Sequence, residues 1–416
     1  MSKRAASTCQ PKKDGMRIKA MLLLSLCSLI VLSGCWDLRY LDKLGVVLAL
    51  GVDVDPAGKQ ELQLTVQVVL AQNVAAESKG GVGGTPVTTF TETGDTLFEA
   101  IRKMSAKTSR RLFFSHTQML IIGEKMAKRG ISSLTDLIER NPDIRTDISV
   151  LVARGITAQQ LLQTTTQMES IPINQIHEMI EVNQDSYGTN YVVEVHDLSM
   201  LAGKGKQQAA LPSIRLEGKK ALRNTVDNVN RIPASAYPVL STMAVFKEGK
   251  LTGYLKPKQS RGLSWLQEKV KSTTVTLACP ESQGHLVVEV HEASRQYQVE
   301  RTPDGMPVIK IKLLITGSVQ EIMCPGVQVV EEGTLNEISL LAEGAVKAEA
   351  EDAIRKLQKE WRTDVLGWGR EVYLKQPGIW KRIEPEWPEV FPNVKSVVDC
   401  NFNIIGSGVR GESIVK

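Results

Sequence analysis

Cys35 divides this chain into two parts with different fates. Residues 1–19 carry Lys3, Arg4, Lys12, Lys13, Arg17 and Lys19 against a single acid, Asp14. Residues 20–32 are then apolar for about 13 positions, and the small residues Ser33 and Gly34 lead into Cys35. An apolar run of that length cannot span a bilayer, which takes roughly 20 residues. Basic, then apolar, then small is the order of a secretory signal peptide, so residues 1–34 read as an address and drop out of the folding problem. Met16-Arg17-Ile18-Lys19 already supplies a basic start, and the sequence leaves open whether Met1 or Met16 begins the chain.

The tetrad Leu32-Ser33-Gly34-Cys35 resembles the bacterial lipobox. Cleavage is expected between Gly34 and Cys35, with the Cys35 thiol carrying the lipid. The chemistry needs a cysteine because a thioether must form at the membrane surface, and it needs small neighbours so that the backbone fits the protease. Two or three acyl chains anchor a protein stably, whereas one is marginal. The remainder is therefore expected to be a lipid-anchored membrane protein. No apolar run after Cys35 reaches 18 residues, so the body is not expected to cross the membrane itself.

Charge agrees with that division. The formal charge is +5, from 51 basic and 46 acidic side chains. Six of those bases and one of those acids precede Cys35, which leaves 45 of each. The basicity belongs to the address, so the body carries no electrostatic footprint for nucleic acid. About 380 remaining residues suggest two or three domains.

Candidate chemistry beyond the anchor is sparse. Cys279, Cys324 and Cys400 remain after the leader, an odd number without metal-ligand spacing. They allow at most one disulfide, and the expectation is buried free thiols. His116, His177, His196, His285 and His291 form no metal motif; His285 and His291 on one strand would stand about 20 Å apart. No nucleophile elbow or kinase signature is present. The expectations are no enzyme activity, no metal and no cofactor. Trp361, Trp368, Trp380 and Trp387 read as core and interdomain anchors.

Along the body, Leu44 to Asp53 and Met119 to Gly123 read as buried strands, and residues 61–68 alternate with period two and form a hairpin with the first. Residues 77–86 are a glycine-rich loop without the Lys-Ser/Thr of a phosphate loop. Helices are predicted near 96–107 with Asp95 as cap, over 132–140 up to Asn141-Pro142, and over 158–162 capped by Thr157. Residues 147–153 are a strand and 170–186 weakly helical. Residues 202–236, rich in Gly, Lys, Gln and Asn, read as loops and an interdomain connection. A hairpin at 243–251 turns on Glu248-Gly249, a short helix carries Trp265 over 261–269, and strands follow at 272–278, 285–300 and 307–322. Thr334 and Glu337 predict a capping box for the longest helix, about 40 residues and roughly 60 Å if unbroken, with Gly367 and Gly369 expected to bend or interrupt it. Residues 394–405 are a final strand. Strands and helices interleave without a regular βα repeat, so the fold class is α+β or mixed α/β, multidomain, with packed helices and one long C-terminal helix.

Four groups of these residues resemble one family. Gly34-Cys35-Trp36-Asp37 with Leu44-Gly45-Val46-Val47-Leu48-Ala49-Leu50-Gly51-Val52-Asp53 is the first. Ser115-His116-Thr117-Gln118-Met119-Leu120-Ile121-Ile122-Gly123-Glu124 with Arg140-Asn141-Pro142-Asp143-Ile144-Arg145 is the second. The third is Ala244-Val245-Phe246-Lys247-Glu248-Gly249-Lys250-Leu251 with Arg261-Gly262-Leu263-Ser264-Trp265-Leu266. The fourth is Asp364-Val365-Leu366-Gly367-Trp368-Gly369-Arg370, then Trp380-Lys381 and Trp387-Pro388-Glu389-Val390-Phe391-Pro392. Together they resemble the Ger(x)C family, the lipoprotein C subunits of bacterial nutrient germinant receptors. Arg140 departs from the pattern, since the family more often has an acid before that proline.

The resemblance implies a non-enzymatic receptor subunit in spore germination. It would sit on the outer face of the spore inner membrane through Cys35 and act with two integral-membrane partners, the A and B subunits. It implies a fold of three domains, placed here as 36–237, with a possible split near 155, and 238–416. Whether the subunit itself binds nutrient stays open. The alternative reading is an extracytoplasmic solute-binding lipoprotein that captures a nutrient directly. Such proteins usually show two doubly wound domains, a regularity this chain lacks.

Overall fold

The computed structural model describes Lys19, Met21, Leu22 and residues 43–77, 84–201, 206–279, 283–325 and 332–406. Gly34 and Cys35 lie outside the described residues, as do residues 78–83 of the glycine-rich stretch.

Continuous apolar runs make central strands, because a strand covered on both faces has no polar side to show. The N-terminal part runs β1 (Leu44–Asp53), β2 (Leu62–Val69), α1 (Ala71–Glu77), β3 (Val87–Gly94), α2 (Leu97–Lys103), β4 (Arg111–Phe113), β5 (Met119–Gly123), α3 (Glu124–Arg129), α4 (Ser132–Arg140), β6 (Ser149–Ala153), α5 (Ala158–Leu162), α6 (Pro172–Ser186), α7 (Val195–Leu201), β7 (Ala210–Leu211), β8 (Ser213–Gly218), α8 (Val226–Asn230) and β9 (Ala236–Leu240). Eight of these strands form one mixed sheet in the order β3-β2-β1-β5-β6-β8-β9, with β4 paired to β1. β1, β5, β6 and β8 are parallel neighbours, while β2, β3 and β9 extend the sheet antiparallel at its two edges.

Period two splits the strands between two cores. Leu50, Val52, Leu120, Ile122, Val150 and Val152 face α2, α3 and α4. Leu48, Ala49, Met119, Ile121, Leu151 and Ala153 face α5 and α6. The alternation explains why neither run has a polar residue to spare.

The stretch 202–236 corrects the expectation of a loop connection. It supplies β7, β8, α8 and the first residue of β9, and β8 pairs in parallel with β6 inside the large sheet. Its polar residues are absorbed locally: Asn228 is buried, donating to Ala236 O at 2.9 Å and accepting from Ala236 N at 2.8 Å. The split placed near 155 falls between β6 and α5, and the one at 237–238 falls inside β9. The cap of α2 also moves by one residue: Thr96, not Asp95, accepts from Glu99 N at 3.1 Å.

The C-terminal part adds β10 (Ala244–Lys247), β11 (Lys250–Tyr254), α9 (Pro257–Leu266), β12 (Thr273–Ala278), β13 (His285–Arg301), β14 (Pro307–Ile322), α10 (Glu332–Ile354), α11 (Trp368–Lys375), α12 (Pro377–Ile383), α13 (Trp387–Val390) and β15 (Lys395–Ile404). β11, β10 and β7 form a small sheet whose tight turn sets Glu248 and Gly249 at φ +51° and +74°. β12, β13, β14 and β15 form a second sheet in that order, the last pair parallel. β12 alternates buried and exposed residues along its length, so one face of this sheet is covered. α9 and α10 pack against it.

Two expectations about α10 change. The helix is already formed at Glu332, so Thr334 lies inside it and not at its cap. It continues through a wider turn over Arg355–Glu360 and stops there, not after 40 residues. Ile338, Ala342, Val346, Ala350 and Ala353 bury its inner face.

Cys279 and Cys324 are joined in a disulfide, which overturns the expectation of free thiols for those two. They are 45 residues apart in sequence, yet they follow the ends of β12 and β14, the two strands that flank β13, with Cα atoms 5.6 Å apart. Only the fold brings those ends together. Cys400 stays free and half-buried, and burial, then the Glu343 carboxylate, pushes its thiol up to about 12. Cys279→Ser is expected to lower stability by about 2–4 kcal/mol through the freed loop in the unfolded chain. A urea midpoint that does not move, in the variant or on reduction, would count against this cross-link.

Candidate functional site

The family-like motifs lie far apart in sequence, and in the fold they supply buried charges at element junctions. Asp53 ends β1 at the N-terminus of α5. Its carboxylate accepts from Ala158 N at 2.9 Å and from Gln159 N at 3.0 Å, donors the helix cannot use itself. Burial nevertheless raises its pKa against those two bonds. Gly123 of the second motif is part of the same joint: a Cβ there would stand 1.9 Å from Asp53 Oδ1. Thr157, as expected, caps α5, and Gln160 answers it in a capping box.

The third motif meets α10. Arg261 donates through Nε to Glu349 Oε2 at 2.8 Å, through Nη2 to Glu349 Oε1, and through Nη1 to Thr274 O at 2.9 Å. Trp265 Nε1 adds a second donor to Glu349 Oε2 at 3.1 Å. Burial pulls the Arg261 pKa down and the Glu349 carboxylate more than reverses it. Gly262 lets the two helices touch, since a Cβ there would stand 2.1 Å from Glu349 O. Beside this pair opens a cleft of about 470 Å³ whose lining includes Tyr187, Lys258, Thr276 and Asp352.

The fourth motif closes the turn after α10. Asp364 Oδ1 accepts from Gly367 N at 2.9 Å and Trp368 N at 3.0 Å; its Oδ2 accepts from Gly369 N at 2.8 Å and Trp387 Nε1 at 3.0 Å. Gly367, at φ +76°, makes the turn that aims those amides inward. Burial outweighs the four donors and pushes the carboxyl up to about 6. Trp387 stacks edge-on with Trp380 at 5.3 Å and lies 5.9 Å from Phe391, whose ring also meets Trp368 at 5.6 Å. Trp361 is only partly buried and packs on the outside of that core.

Glu349 was not singled out by sequence, although a signal exists. Helical spacing from Ala342 through Val346 to Ala353 places Glu349 on the apolar face, where a lone acid needs a partner. The role of Asp364 was also missed, because its donors are backbone amides.

The histidines stay separate. His116 packs on the Phe113 ring at 5.6 Å, His177 approaches Glu181 at 3.5 Å, His196 lies between Glu194 and Asp197, and His291 bonds Ser318 Oγ at 2.7 Å. Among the described residues no group of three His, Cys, Asp or Glu is placed to hold a metal ion, and no helix is long and apolar enough to cross a membrane.

Comparison with known proteins places this arrangement. Residues 37–216 match the spore germination protein N-terminal domain, and residues 241–408 match the "spore germination B3/GerAC like, C-terminal" domain. The chain is 27% identical to spore germination protein KC of Bacillus subtilis (strain 168) over 95% of this chain and 97% of that one. It is 20% identical to spore germination protein B3 of the same organism over 92% and 96%. The crystal structure of the GerBC protein superposes with a TM-score of 0.54 at 16% identity, covering 86% of this chain and 96% of that chain, which shows a shared fold. With both halves matched in order across nearly its whole length, the chain belongs to the Ger(x)C family of spore germination proteins.

Proposed function

We propose that this chain is the lipid-anchored C subunit of a nutrient germinant receptor, held on the outer face of the spore inner membrane by Cys35 and acting with integral-membrane A and B subunits. The observation that carries the reading is the ordered match of both family domains, the first of which begins at residue 37, directly after the expected leader and lipobox. The Cys279–Cys324 disulfide supports a compartment outside the reducing cytoplasm. The buried motif carboxylates each accept N–H bonds that join helices and strands, which fits an assembly role better than a catalytic one. One eight-stranded sheet and one four-stranded sheet do not make the two similar doubly wound lobes of a solute-binding protein.

The partnership is tested by purifying the chain from spore membranes in mild detergent. Both membrane subunits are expected to come with it, and recovery of the chain alone would sink the reading. The anchor is tested by mass. The native protein should have the mass of a chain beginning at Cys35 plus acyl chains, and Cys35→Ala should be unprocessed or released from the membrane, with weakened germination. Unchanged processing and retention of the variant would remove Cys35 from the mechanism.

A further inference from the structure

Three arginines without an acidic partner among the described residues stand close to the start of β1. Arg102, at the end of α2, and Arg111, opening β4, are exposed, and Arg110 is half-buried between them. They line a cleft of about 360 Å³ together with Ser109 and Asn141. Acids on α2 and on the neighbouring β3 and α4 pair with lysines and another arginine: Glu99 with Lys103, Glu92 with Lys107 and Asp136 with Arg140. Asp143 is the acid lining the cleft, so the cations outnumber it. Phe98 is 47% exposed at the rim, with the Arg102 guanidinium 4.7 Å from its ring centroid. An exposed aromatic beside unpaired arginines is a pairing suited to a boundary between apolar and anionic material.

The second observation is the length of the tether. Gly45 lines the depression adjoining this cleft, and a Cβ on it would stand 3.8 Å from the Arg110 Cβ. Gly45 is ten residues after Cys35. Ten residues span at most about 35 Å fully extended. If Cys35 carries the acyl chains, as the proposed function has it, covalent length alone keeps Gly45, beside this cleft, within about that distance of the lipid anchor.

We propose that the cleft formed by Arg102, Arg110 and Arg111, with Phe98 at its rim, docks on the headgroups of anionic phospholipid and so sets how the body stands on its membrane. Guanidinium groups bind phosphate oxygens in pairs, and the Ser109 hydroxyl supplies a further donor. Unpaired cations near an anionic surface gain from its potential, and the gain vanishes on a zwitterionic one. A single lipid tether leaves the body free to tumble; a second contact near the tether restricts it.

The test uses the processed full-length lipoprotein in nanodiscs of phosphatidylcholine alone or with 30% phosphatidylglycerol. Arginines are modified with phenylglyoxal, and peptide mass spectrometry reads the rate at Arg102, Arg110 and Arg111 against Arg140 on the same chain. Modification of the three is expected to slow by about fivefold or more in the phosphatidylglycerol discs, while Arg140 is unchanged. Equal rates in the two discs would overturn the proposal. Equal protection by millimolar inorganic phosphate in detergent would reassign the cleft to a free anion, and protection only when the membrane subunits are added would reassign it to protein; either overturns lipid docking. Intact mass of the same sample separates the two ideas, since a chain without lipid refutes the anchor whatever the arginines do.

Discussion

Glu349→Ala is expected to lower the free energy of unfolding by about 3–5 kcal/mol. The change leaves Arg261 buried with its charge uncompensated, keeping only Thr274 O and a long contact to Thr273 Oγ1 at 3.4 Å. It also leaves the buried Trp265 indole N–H without its acceptor. The cost lies in the partner left behind, because a charge removed from water must be met by another charge or by several dipoles. The double variant Arg261→Met with Glu349→Leu should therefore recover most of the loss, since apolar groups of similar volume need no partner. Urea denaturation followed by tryptophan fluorescence reads both. A loss below about 1 kcal/mol for Glu349→Ala would mean that water already reaches the pair.

Asp364→Asn, nearly the same shape, is expected to cost about 4 kcal/mol. Four N–H groups point at the two carboxylate oxygens. An amide offers one oxygen, so two of those donors would face an NH₂ group, and each buried unsatisfied donor costs about 1–3 kcal/mol. The same site sets a pH dependence. The ordinary carboxyl value of 3.8 holds in the unfolded chain, and burial lifts the folded value to about 6, so the folded state binds the proton more tightly. Its contribution to stability is then fully present below about pH 4 and is lost as pH rises through about 6, a fall of about 3 kcal/mol. Subtracting the Asp364→Asn profile from that of the native chain isolates this group from Asp53 and the lowered carboxylates elsewhere. A difference that rises with pH would show that the four donors outweigh burial.

Much of the fold was legible because local patterns were strong. The apolar runs of β1 and β5, the alternation of β2, the Glu248-Gly249 turn and the Thr157 cap each follow from period or backbone preference within a few residues. Reading failed where neighbours in space override neighbours in sequence. Residues 213–218 are too short and too mixed to announce a strand, and β6 makes them one by offering an open edge. The end of α10 follows from where Asp364 finds its donors, which helix propensity does not encode.

The sites divide in the same way. The expected leader, the lipobox resemblance at Gly34 and Cys35 and the order of the family motifs are read from the linear chain, because a protease and a membrane would read residues in sequence. What the motifs do was settled by tertiary structure. Arg261 and Glu349 are 88 residues apart, and Cys279 and Cys324 are 45. A charge buried without a partner and a thiol within reach of another are facts about distance in space, and only packing brings those atoms together.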